Sequence, residues 1–292
     1  MSMTPQVFEA QSVSEAWSKA FIAACEAGGH EIAPLVVSVT GFDSQGIVAN
    51  DDKCQALVDQ CLATLGVQLT SEEVASTIFP ESLWSPSASR EEFFSRFRDA
   101  LPGIIRVRRG KRRPNKDGTY FQRMWSFNES LGRLPMSAPF PDDYINPPED
   151  RLNQLEHVIQ MHRKARNRKR PAGARRSGLQ VALFDPARDH TGNPYLRFPC
   201  LHHVAFLPDG ETLNVVGYYG LQYLIKRAYG NYLGLARLGR FMAHEMGLKL
   251  ARMTCIAGVG TLDGYSRSQL TWLEDSIRQR YPQLYQPAEN GQ

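Results

Sequence analysis

One stretch constrains the fold more than any other: residues 198–247, FPCLHHVAFLPDGETLNVVGYYGLQYLIKRAYGNYLGLARLGRFMAHEMG. Apolar residues alternate along 198–219 around Leu207-Pro208-Asp209-Gly210, which predicts a β-hairpin. From 221 to about 246 the pattern turns helical, rich in Gly, Leu and Met, and Gly247 stands where a helix is capped. A hairpin that runs into a long apolar helix calls for a sheet with helices laid on it.

The rest of the chain supplies matching parts. Ser12 and Glu15 make a capping box ahead of Trp17, Phe21, Ile22 and Cys25, with Gly28-Gly29 as the stop. The run PLVVSVTGF (34–42) is β-branched and predicts a strand. Residues 54–65 repeat apolar groups at helical spacing before Gly66, which makes Cys54 and Cys61 core residues. Thr70 with Glu73 and Ser89 with Glu92 each start a helix. Leu152, Leu155, Val158 and Ile159 mark another, LQVALF a strand, and SQLTWLEDSIRQRYP the last helix. The fold class expected is α+β, with helices around a mixed, largely antiparallel sheet.

Charge is unevenly spread. RVRRGKRR (106–113) carries six basic residues and HRKARNRKRPAGARR (162–176) eight, with no acid in either. Without those fourteen, twenty basic residues face thirty acidic ones. Two basic loops on an acidic body suggest an anionic partner: a nucleotide, a phosphate or nucleic acid. The plainer alternative is that they are solvated loops. No run of about 18 apolar residues appears, so no membrane span is expected. The first residues lack a basic region followed by an apolar one, so no secretion signal is expected. Five scattered cysteines, at 25, 54, 61, 200 and 255, form neither a disulfide framework nor a zinc pattern and fit a reducing cytoplasm.

Cys200 is the candidate nucleophile. A cysteine at the start of a strand is well placed for attack if a cation or donor favours its thiolate. The alternative is a packed thiol. Strict alternation puts Cys200, His202, Val204 and Phe206 on one face, with Leu201, His203 and Ala205 on the other. Adjacent His202 and His203 then point apart, so no metal site is expected.

Four segments carry a resemblance to the thymidylate synthase and pyrimidine hydroxymethylase superfamily, over roughly residues 79–262. PESLW (80–84) resembles its Glu-x-x-Trp segment and places Glu81 at the catalytic glutamate. DGTYFQRMW (117–125) resembles its Gly-x-x-Tyr-Gly-x-Gln-Trp segment, with Phe121 where a tyrosine is usual and Trp125 walling the pocket. LNQLEHVIQMHRK, a basic stretch and GLQVALFDP resemble its helix, arginine pair and strand, with Arg175 and Arg176 as the nearest arginines. The stretch 198–247 resembles its nucleophile strand, hairpin and long helix, with Cys200 at the nucleophile and Asn231 at the residue that reads the pyrimidine.

The resemblance implies one thymidylate synthase-like domain over residues 1–292, with basic loops at 106–116 and 162–176, and a homodimer. It implies a one-carbon transferase, methyl or hydroxymethyl, that modifies C5 of a uracil-like nucleotide or nucleoside. The cysteine adds to C6, 5,10-methylenetetrahydrofolate brings the carbon, and the glutamate moves protons through water. Asparagine rather than aspartate at 231 goes with uracil. The departures bear on substrate. The family's phosphate-gripping arginine downstream of the cysteine, which also donates to the thiolate, aligns with Gly220, and the aspartate that follows aligns with Tyr223. The sugar-holding His-x-Tyr falls near Thr261 and Asp263, and residues 1–89 contain no arginine. The polar tail YQPAENGQ differs from the apolar end that closes over folate. The expected substrate is therefore not ordinary dUMP. Its phosphate, if it has one, is left to Lys226, Arg227 or the basic loops. The competing expectations are a retired synthase scaffold that binds nucleotide or nucleic acid, and an unrelated α+β protein in which these residues do not converge.

Overall fold

The computed structural model describes residues 5–105, 119–127, 153–167, 175–190 and 199–285. The basic loop at 106–116, residues 168–174 of the second basic stretch, and the polar tail from residue 286 lie outside the described residues.

In chain order, β1 (Gln6–Ala10) leads into α1 (Val13–Glu26), then β2 (Glu31–Ile32), β3 (Leu35–Val39), α2 (Asp52–Thr64) and α3 (Ser71–Ile78). Next come α4 (Arg90–Ile105), α5 (Tyr120–Trp125), α6 (Gln154–Arg166), β4 (Gln180–Ala182) and α7 (Pro186–Asp189). The chain then forms β5 (Leu201–Asp209), β6 (Thr212–Tyr223), α8 (Tyr229–Met246), β7 (Lys249–Thr261) and α9 (Arg267–Arg280). The strands make one mixed seven-stranded sheet in the order β1-β3-β7-β6-β5-β4, with β2 also pairing β7. β1/β3 and β6/β7 are parallel and the other pairings antiparallel. Among the described residues, no helix is long and apolar enough to cross a membrane.

Local signals formed the elements they predicted. The Ser12 hydroxyl accepts from Glu15 N–H, and Thr70 and Glu73 close a reciprocal capping box at α3. Gly247 ends α8 at φ +66°, a left-handed conformation that costs an L side chain energy. Cys54 and Cys61 are buried, as their helical phase required.

Two departures concern the sheet. The strands β1 and β7 have no counterpart in the sequence reading, yet β7 lies at the sheet's centre, hydrogen-bonded to β3 and β6. The long helix does not start at 221. Leu221, Gln222 and Tyr223 pair with Val259, Gly260 and Thr261 of β7, so β6 runs on to Tyr223. A π-helical turn, Leu224–Ala228, then joins it to α8. The neighbouring strand outbid a helical pattern that was continuous in sequence.

α8 lies on one face of the sheet, where Leu235 packs on Gly217 and Leu201 approaches the same glycine. The opposite face carries a cross-strand row of Val7, Val36, Ile256, Tyr218 and His203. This face is partly open: Val7 is 63% exposed and Tyr218 42%. Against α8 packs an aromatic cluster of Phe79, Trp84, Phe93, Phe94, Phe121 and Phe241. The basic end of α6 is partly structural. Arg163 donates to the Glu245 carbonyl and Arg166 to that of Gly247, satisfying carbonyls at the end of α8.

Candidate active site at the start of β5

Strict alternation does not survive at the head of β5. Leu201 pairs with Tyr219 and His203 with Tyr218, so His202 is an extra residue, a β-bulge. The bulge puts Leu201, not Cys200, in phase with buried Val204 and Phe206, correcting the face assignment. Cys200 stands just before the strand, half-buried and unoxidised, its carbonyl accepting from Gly220 N–H at 3.2 Å.

Three groups surround this thiol. The Tyr120 hydroxyl, at the start of α5, lies within electrostatic reach of Cys200 and beside the backbone of Cys200 and Leu201. Burial pushes that phenol up to about 12, and Cys200 adds to the rise, while Arg227 opposes it. Tyr219, fully buried on β6, lies within electrostatic reach of Cys200, Tyr120 and Cys255, and its hydroxyl has no hydrogen-bond partner among the described residues. The third is Arg227. Burial raises the Cys200 thiol above its usual range, and the Arg227 guanidinium is the influence that pulls it back.

The turn that carries Arg227 is held from two sides. The indole N–H of buried Trp17 donates to the Leu224 carbonyl at 2.8 Å. On the other side Asp263 Oδ2 accepts from Lys226 N–H at 2.7 Å. Asp263 itself has φ +63°, and its Oδ1 is buried without a partner. Burial lifts this carboxyl from 3.8 to about 7, against the pull of Lys226 and Arg227. The Lys226 ammonium lies 4.7 Å from the Tyr265 ring centre and 5.7 Å from that of Tyr223, a cation–π arrangement at the rim.

Asn231 follows Arg227 by four positions. It is 3% exposed, yet its amide forms no hydrogen bond among the described residues. At about 100° per residue, Asn231 faces between the α3-facing side of α8 (Gly230, Gly234) and the sheet-facing side (Leu235, Gly239). An amide without protein partners keeps its donors and acceptor available to a ligand.

Other predicted site residues lie elsewhere. Glu81, in a single helical turn, pairs with Arg237 at 2.7 Å and Arg240 at 3.1 Å. Those arginines stand about 120° and 180° around α8 from Asn231 and roughly 9 and 13 Å further along it. Glu81 therefore meets α8 from the side away from Asn231, where Arg240 also stacks on Trp84. Phe121 and Trp125 belong to the buried side of α5 and pack edge-on against Phe97. The ring at the site is Tyr120, one position earlier than the expected Phe121. Arg176 pairs with Asp209 at the hairpin end of β5, and Arg175 precedes it. Cys200 is at the opposite end of that strand, roughly 26 Å away. Tyr223 ends β6, 38% exposed, beneath Lys226.

At Gly220, where the resemblance aligns an arginine, the space is filled. A Cβ there meets His202 Cε1 at 2.8 Å and Nε2 at 3.2 Å. The imidazole also packs on Phe184 and Tyr218, and burial lowers its pKa, which favours the neutral ring. Tyr120 and Tyr219 were missed in the sequence, and Arg227 was named only as a possible phosphate contact. Helical phase gave a signal for the first: with 121, 124 and 125 inward, 120 faces away from that core. Strand phase did so for Tyr219, which shares the inward parity of Leu213, Val215 and Gly217.

Among the described residues there is no cluster of three or more His, Cys, Asp or Glu side chains suited to a metal ion. No protein-family model matches the chain, and no curated protein matches it.

Proposed function

We propose that this protein modifies C5 of a uracil-like pyrimidine through a covalent adduct on Cys200, as a divergent enzyme of the thymidylate synthase type. The observation that carries the reading is Asn231, a polar residue only 3% exposed at the start of α8 whose amide has no hydrogen-bond partner among the described residues. An amide offers one acceptor and two donors, the complement of the O4/N3 edge of uracil. The buried hydroxyl of Tyr219, without a hydrogen-bond partner among the described residues, lies within electrostatic reach of Cys200.

In this reading the Cys200 sulfur bonds to C6, and the C5=C6 π pair moves onto C5 and O4 as an enolate. Asn231 donates to the oxygen that gains charge, where a donor held in place beforehand is worth most. C5 then bonds to a one-carbon electrophile and loses its proton to solvent. Expulsion of the sulfur as thiolate restores C5=C6. Methylenetetrahydrofolate is the donor that the resemblance implies. The Glu81 carboxylate takes no part, being held by Arg237 and Arg240. A homodimer belongs to the same reading: the partly open sheet face is the surface that would pair, and Arg176 is too far from its own Cys200 to act except in a second copy.

The test is incubation with 5-fluoropyrimidine nucleosides and nucleotides plus methylenetetrahydrofolate, read by peptide mass spectrometry. An adduct on Cys200 that is lost in Cys200→Ala and weakened in Asn231→Ala is expected. Absence of an adduct with every such compound overturns the reading.

A further inference from the structure

We propose that the rim formed by Tyr223, Lys226 and Tyr265 takes a neighbouring nucleotide of a single-stranded polynucleotide, so that the pyrimidine presented to Cys200 is a base within a strand. This rests on the function proposed above and goes further by naming the substrate class.

Three observations carry it. The first is the pairing of flat rings with a cation. Lys226 Nζ lies 4.7 Å from the Tyr265 ring centre and 5.7 Å from that of Tyr223. Among the described residues, Val7, Ile47, Tyr218 and Tyr223 are the exposed large apolar side chains, and of these Tyr223 alone has a cation over a ring. A ring that stacks on a base, beside a cation that takes a phosphate, grips a single strand without reading its sequence.

The second observation is charge. Neither Lys226 nor Arg227 forms an ion pair among the described residues, whereas Arg90, Arg237 and Arg240 each hold a carboxylate. The carboxyl fastened to this turn, Asp263, accepts instead from the Lys226 backbone N–H at 2.7 Å. Burial lifts it to about 7, so near neutral pH it offsets only part of two positive charges. Consecutive cations left in this way favour an anion, and the backbone of a polynucleotide repeats one at every residue.

The third observation is placement. The Cys200 carbonyl accepts from Gly220 N–H at 3.2 Å. Pairing with β5 reaches Tyr219, and Leu221, Gln222 and Tyr223 pair with β7 alone among the described residues. Tyr223 therefore stands three strand positions, roughly 10 Å, beyond the point that holds Cys200. A mononucleotide offers one base, which the reading above commits to Cys200. The exposed Tyr223 ring is then left for a second base. The rim is also fixed in advance: Trp17 donates to the Leu224 carbonyl at 2.8 Å, and Tyr265 N–H to that of Leu262 at 3.0 Å, which lowers the cost of ordering on binding.

The test is fluorescence anisotropy with labelled oligomers of about eight deoxyuridylates or uridylates, compared with dUMP and UMP as competitors. The oligomers are expected to bind about tenfold tighter than the mononucleotides. Tyr223→Ala is expected to weaken the oligomers about tenfold, the loss of one base–ring stack, and to leave the mononucleotides unchanged. Tyr223→Phe keeps the flat ring and is expected to bind as the wild type does, which separates stacking from misfolding. Lys226→Gln is expected to reduce the salt slope by about 0.7, the share of one phosphate on a single strand. With 5-fluorouracil inside the oligomer, the Cys200 adduct is expected to form faster than with the free nucleotide, since binding away from the reacting ring speeds the reaction. The proposal is overturned if the oligomers bind no tighter than the mononucleotides, or if Tyr223→Ala leaves them unchanged or weakens both alike. It is also overturned if Tyr223→Phe is as weak as Tyr223→Ala, if Lys226→Gln keeps the full salt slope, or if the oligomer forms its adduct no faster. Failure here is separable from failure of the function proposed above. An adduct on Cys200 with no dependence on Tyr223 refutes the rim alone. Oligomer binding that depends on Tyr223, with no adduct from any 5-fluoropyrimidine, refutes the pyrimidine chemistry and leaves the rim as a strand-binding surface.

Discussion

Gly220→Ala probes whether the His202 ring occupies the strand edge beside Cys200. The added methyl lies 2.8 Å from His202 Cε1, 3.2 Å from Nε2 and 3.7 Å from Nδ1. Ordinary contacts begin at about 3.5 Å, so the ring must retreat by roughly 0.7 Å. It is hemmed in, with the Phe184 ring centre at 5.1 Å and that of Tyr218 at 5.8 Å. Its backbone is also committed, because the His202 carbonyl accepts from both Leu183 and Phe184 N–H. Overpacking of this kind costs about 1–3 kcal/mol. Urea denaturation is the assay: the midpoint of Gly220→Ala should fall while the slope holds. In a His202→Ala background the obstacle is gone, and the same substitution should cost less than about 0.5 kcal/mol, which makes the two sites strongly coupled. An equal cost in both backgrounds, or none in either, refutes the packing argument.

Three further outcomes follow from the ion pairs and the raised carboxyl. Arg90→Met removes the bridge to Glu156 at 3.0 Å and Glu245 at 2.9 Å, and should cost about 3–5 kcal/mol in denaturant at neutral pH, because two buried carboxylates lose their cation. Burial raises the Glu156 carboxyl, so this deficit should shrink as the pH falls; a deficit that grows in acid contradicts it. Glu81→Gln should cost about 1 kcal/mol, since the carboxylate is partly exposed, and leave the alkylation rate of Cys200 unchanged; a slowed rate contradicts the placement of Glu81. Asp263 keeps a proton in the folded protein that the unfolded chain releases between pH 3.8 and about 7, so wild-type stability is lost as the pH rises through that window. Asp263→Asn cannot titrate, and its stability relative to wild type should climb over the same window and level off above it; a difference that does not vary with pH refutes the raised carboxyl.

Among the candidate site residues, what was legible depended on how each residue earns its place. Cys200 and Asn231 were identified through their segments; Cys200 stands just before β5 and Asn231 is buried at the start of α8. Glu81 was assigned by a short pattern, but two arginines of α8 hold its carboxylate on another side of that helix. A four-residue motif carries no information about which face of a distant helix it will meet. Tyr120 and Phe121 differ by one residue and about 100° of helix, enough to send one to the thiol and the other into the aromatic cluster.

The sequence by itself determined what neighbours along the chain decide. The caps at Ser12 and Thr70, the end of α8 at Gly247 and the hairpin at Gly210 are set by side chain–backbone bonds and backbone sterics within a few residues. Tertiary structure alone decided the centre of the sheet. β7 is a strand because β3 and β6 bond it on either side, and β6 extends to Tyr223 because β7 is there to receive it. The bulge at His202 and the ring over Gly220 both depend on that pairing. Backbone hydrogen bonds between strands join residues far apart in sequence, so nothing in the local pattern announces them.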